Sequence, residues 1–179
     1  SFLRNYSDRF NWSRSTGDFF MKILLKTEYI SNIRLNSHGG AEKQFEPVLE
    51  GFKRVNQPLW DFENSHTKIE LKKQQGLQWF DIGKYYNLSE DEKKIIMMFV
   101  IHKSGKIQTI HTITLDNFLN LLCSNKQAQK KGWTHFNIKV CHYQKKNHPA
   151  MQAKVCANIK TLVREHPGHF NCLYNHLTK

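Results

Sequence analysis

The chain has 179 residues, room for one compact domain. Its 27 Lys and Arg against 15 Asp and Glu give a formal charge of +12, which excludes cationic partners and favours polyanions, nucleic acid first and an anionic membrane surface second. Twelve Phe, six Tyr and four Trp can build a core, so wholesale disorder is excluded. Likewise, no run of about 18 apolar residues offers a membrane span.

Residues 1–14 read as an irregular arm: Arg4 introduces charge early and no apolar stretch follows, so no secretory signal is expected. Ser15-Thr16-Gly17-Asp18 offers N-caps before Phe19, Phe20, Ile23, Leu24, Thr27 and Ile30, whose spacing predicts an amphipathic helix over 17–30. A shorter apolar stripe, Phe45, Val48, Leu49 and Phe52, follows the loop His38-Gly39-Gly40. After Pro58 the period changes to two. Leu59-Trp60-Asp61-Phe62 is a short strand candidate, and Thr67–Gln74 alternates as a second. Residues 77–88 read as a helix. Residues 95–101 form a continuous apolar run of strand length, expected to be covered on both faces.

Lys103-Ser104-Gly105-Lys106 predicts a hairpin turn, with Ile107, Thr109, His111 and Ile113 on the return strand. Leu115, Phe118, Leu119 and Leu122 mark the inner face of a helix reaching Cys123. Phe136, Ile138 and Val140 alternate as a strand, and Pro149 opens a last helix to His166. The order implies a single mixed α/β domain: arm 1–14, core 15–140, C-terminal helix and tail 141–179. Cys123, Cys141, Cys156 and Cys172 lack a close pair and read as reduced thiols, pointing to an intracellular, cytoplasmic setting.

The chemistry concentrates in Pro58-Leu59-Trp60-Asp61, then eight residues, then Glu70-Leu71-Lys72. Glu70 and Lys72 are two apart on a strand, so their side chains emerge from one face. Two carboxylates brought together repel unless a cation neutralises them, so Asp61 near Glu70 suggests a hard metal such as Mg²⁺. A lysine beside it can orient a water whose pKa the metal lowers.

This arrangement resembles the PD-(D/E)XK nuclease superfamily, the fold of many type II restriction endonucleases. The resemblance covers residues 15–140. Asp61 matches the first acid, Glu70 the second and Lys72 the lysine, while the backbone carbonyl of Leu71 matches the main-chain metal ligand. Pro58 departs from the pattern, with Leu59 and Trp60 between it and the acid. Gln74 falls where members carry a polar residue near substrate. The resemblance implies a restriction-endonuclease-like mixed β-sheet flanked by helices. It also implies Mg²⁺-dependent, site-specific hydrolysis of double-stranded DNA, leaving a 5′-phosphate and a 3′-hydroxyl.

Two-fold DNA symmetry then calls for a homodimer, with a helix among 17–30, 77–88 and 150–166 as the contact. Lysines recur after every predicted turn, among them Lys68, Lys73 and Lys84. The favoured nucleic-acid contacts are Lys73, Lys130, Lys131, Tyr143, Lys145, Lys146 and the His38 loop. Glu28, Glu46 and Glu50 are candidates for a further metal ligand, and His102 and His111 for an approach to the active face. The alternatives are a non-catalytic nucleic-acid-binding module and, within the fold, a homing, resolvase or repair nuclease. A zinc-stabilised variant of the binding-module reading would use His166, His169, Cys172 and His176, with Cys156 not far upstream.

Overall fold

A computed structural model of the chain describes residues 23–35, 40–80, 82–85, 88–124, 139–140 and 153–178. Its centre is a six-stranded mixed sheet. The strands are β1 (Lys53–Arg54), β2 (Phe62–Glu63), β3 (Lys68–Gln74), β5 (Ile96–Lys103), β6 (Lys106–Thr114) and β9 (Asn171–Asn175), side by side in that order. All neighbours are antiparallel except β3 and β5, which run parallel with Glu70 beside Met97 and Lys72 beside Phe99. A smaller sheet joins β4 (Gln78–Phe80), β8 (Ala153–Ala157) and β7 (Lys139–Val140). The helices are α1 (Ala41–Phe45), α2 (Glu90–Lys93), α3 (Leu115–Ser124) and α4 (Ile159–Glu165). Among the described residues, no helix is long and apolar enough to cross a membrane.

The parallel pair explains the uninterrupted apolar run. Every residue from Ile95 to Ile101 is buried, because alternate side chains enter separate cores on the two faces. On one face Ile69, Leu71, Ile96, Met98 and Val100 meet Ile30, Ile33, Phe45, Val48 and Leu49. On the other, Met97, Phe99 and Ile101 meet Phe80, Tyr85, Phe118, Leu119, Leu122, Ile159 and Leu162. Phe80, Phe99 and Phe118 contact edge-on or tilted, with ring centroids 5.0 to 6.1 Å apart. The hairpin tip docks on the N-terminal segment: Leu35 N–H donates to the Gly105 carbonyl at 2.8 Å. Gly105 has a φ of 84°, and a Cβ there would come within 2.9 Å of the Leu35 carbonyl oxygen.

Three helix expectations need correction. Within 17–30, the described part is irregular to Lys26 and then a 3₁₀ turn over Thr27–Asn32; residues 17–22 lie outside the described residues. Residues 77–88 contain β4 and a 3₁₀ turn, Ile82–Tyr85, rather than a helix. In the proposed last helix, Ala153–Ala157 is a strand and, among the described residues, the helix is confined to Ile159–Glu165. Asn158 makes the break, capping α4 by accepting from Thr161 N–H at 3.2 Å. Of the three helices expected to offer a dimer contact, the described residues hold this short one. The α3 helix matches its expected stripe, with Leu115, Phe118, Leu119 and Leu122 buried.

Candidate active site

The β2–β3 hairpin brings the three motif side chains together. Asp61 immediately precedes β2, and its backbone is fixed on both sides. Its N–H donates to the Ile69 carbonyl at 2.7 Å, and its carbonyl accepts from Val55 N–H at 2.8 Å. Its carboxylate replaces the next ladder acceptor, taking the Leu71 N–H at 2.8 Å. A strand residue's N–H and C=O share an edge. The Leu71 carbonyl therefore lies on the Asp61 side of β3.

Glu70 projects from β3 beside Met97, into the face otherwise lined by the apolar core, and is 5% exposed. Its carboxyl lies close enough to that of Asp61 for the two to share a proton. Burial above all, then hydrogen bonding with Asp61 and the Asp61 charge, push the Glu70 pKa up to about 8, against the lowering pull of Lys72 and Lys84. The two lysines flank it: Lys72 Nζ is 4.0 Å from Oε1, and Lys84 Nζ is 3.8 Å from Oε2.

This donor set is all oxygen, two carboxylates and one main-chain carbonyl, which suits a hard divalent cation better than zinc. A cation between the acids would take the place of a proton they share. Among the described residues no three His, Cys, Asp or Glu side chains gather, so a cation here would complete its shell with water or substrate oxygens.

The remaining candidates fall elsewhere. Gln74 shares the Glu70 face but is buried, its amide oxygen accepting from Ile159 N–H at 2.6 Å and its NH₂ donating to the Ala157 carbonyl at 3.2 Å. It ties β3 to the start of α4. Lys73 lies on the opposite face, level with Val100. Lys130, Lys131, Tyr143, Lys145, Lys146 and His38 lie outside the described residues. Glu46 pairs with Arg54 and Glu50 with Lys26, each at 2.6 Å, and Glu28 is exposed. His102 accepts from Gly105 N–H at the hairpin tip, and burial lowers its pKa. His111 is buried against Phe170, level with Phe99 on the face of Lys72, its pKa also lowered by burial.

In the C-terminal tail the His166 and His169 rings meet edge to face, 5.7 Å between centroids. His176 instead turns its Nδ1 to the Gln108 carbonyl at 3.0 Å, and Cys172 its thiol to the Tyr174 carbonyl at 3.5 Å. Lys84 was visible in the sequence only as one lysine among many, inside a stretch that read as helix. No protein-family model matches the chain, and a search of curated proteins finds no match.

Proposed function

We propose that this protein is a Mg²⁺-dependent deoxyribonuclease that hydrolyses phosphodiester bonds in double-stranded DNA, in the manner of the type II restriction endonucleases. The observation that carries this reading is the Asp61–Glu70 pair, set side by side on one hairpin beside the Lys72 ammonium. An acid buried as deeply as Glu70 beside a second, half-buried one is costly for folding alone, which is a reason to seek a ligand for the pair.

Asp61, Glu70 and the Leu71 carbonyl would hold Mg²⁺, which when bound would lower the pKa of a water and shield charge on the phosphate. Leu71 N–H fixes one Asp61 oxygen and so holds the carboxylate beside Glu70. Lys72, about a quarter exposed at its side chain, would hold the attacking water in line with phosphorus. Water oxygen bonds to phosphorus and the P–O3′ bond breaks; the water's proton leaves to solvent and the 3′ oxygen regains one, giving a 5′-phosphate and a 3′-hydroxyl. Site-specific cutting and a homodimer are part of the same proposal.

Incubation of the protein with a long duplex and Mg²⁺, followed by mapping of fragment ends, tests the reading. Discrete ends are expected. Asp61→Ala, Glu70→Ala and Lys72→Ala are each expected to abolish cleavage while leaving duplex binding largely intact. No cleavage with any divalent metal would instead favour a basic nucleic-acid-binding module.

A further inference from the structure

Glu70 is one carboxylate serving two ammoniums from different elements. Lys72 comes from β3 and Lys84 from the Ile82–Tyr85 turn, on the crossover between the parallel strands. Their side chains are 27% and 31% exposed, against 7% for Glu70, so both reach toward solvent where the acid does not. Lys84 also lies 5.2 Å from the ring centroid of Tyr85, which is 1% exposed, so a buried ring steers its stem toward the site. The two oxygens of a carboxylate are spaced much like two non-bridging oxygens of a phosphodiester. Amines set for one are set for the other.

We propose that Lys84 is a second phosphate-positioning residue, passing from Glu70 to a non-bridging oxygen of the phosphodiester faced by Lys72 once a divalent cation engages Asp61 and Glu70. The proposal rests on the nuclease reading above. A lysine suits the role, since a flexible point charge can change partner where a planar guanidinium forks onto one.

The test is the affinity for a short labelled DNA duplex, read by fluorescence anisotropy over a salt series with Ca²⁺ in place of Mg²⁺. Lys84→Met is expected to weaken binding several-fold and to flatten the slope of log affinity against log salt by about one. Lys84→Arg should restore the slope, and Lys84→Gln serves if the methionine variant does not fold. With Mg²⁺, Lys84→Met is expected to raise KM more than it lowers kcat. An unchanged slope in a variant whose parent binds duplex overturns the role of Lys84 and leaves the nuclease reading standing. A wild-type protein that binds duplex but never cleaves it overturns the nuclease reading, while the slope still decides whether Lys84 touches phosphate. A wild-type protein that binds no duplex overturns both.

Discussion

Glu70 carries a charge problem that its neighbours only partly solve. Burial and the nearby Asp61 favour its protonated form, while two lysines approach it. A divalent cation bound by both acids must displace that proton, so binding is linked to pH. Calorimetric titration of Mg²⁺ at pH 7 in buffers of different ionisation enthalpy is expected to show release of up to one proton. Glu70→Gln should remove the release along with most of the binding. The spacing of Asp61, Glu70 and Lys72 was legible because strand alternation is a fixed period and the hairpin connection is short. The raised pKa of Glu70 was not, since it depends on how deeply the neighbouring strand buries the side chain.

At the level of elements, the β3–β5 parallel pair requires a crossover, and Gln74 fastens its far side. The Gln74 amide satisfies two main-chain groups at the junction of β8 and α4, the Ala157 carbonyl and the Ile159 N–H. Gln74→Ala leaves both without that partner in a buried place and is expected to cost about 1–3 kcal/mol, measured by urea unfolding. Strands β3, β5 and β6 and helix α3 were readable from periodicity alone, because each buries a face or stripe wholly. The misread stretches share a cause. Residues 77–88 and 153–157 pair with each other across the chain, Gln78 with Ala157 and Phe80 with Val155, and local spacing says nothing of such distant partners. Lys84 was hidden by the same error, since its turn exists only where β4 ends.

For the whole molecule, stability against pH follows from the buried acids. Glu70 has a folded pKa near 8 against an ordinary 4.5, and Asp116 about 6 against 3.8, both raised chiefly by burial. Each binds its proton more tightly when folded. Their contribution is therefore full below the ordinary values and is lost as pH rises through the folded ones. Burial shifts His111 the other way, so its contribution is present above its ordinary 6.5 and is lost as pH falls through its lowered folded value. Thermal melts from pH 5 to 9 should show Glu70→Gln gaining on the wild type toward the alkaline end, on the order of a few kcal/mol. Mg²⁺ should narrow that gap by stabilising the wild type alone.

The docking of Leu35 on Gly105 has a consequence for assembly. The β5–β6 ribbon closes over a two-residue tip and can form early from near neighbours, whereas Leu35 must travel some seventy positions of chain to reach it. The N-terminal segment is therefore a late arrival on a template already shaped to receive it. Any side chain larger than hydrogen at Gly105 would obstruct the landing, so a lesion there would be felt as an undocked segment far upstream as well as in the turn that bears it.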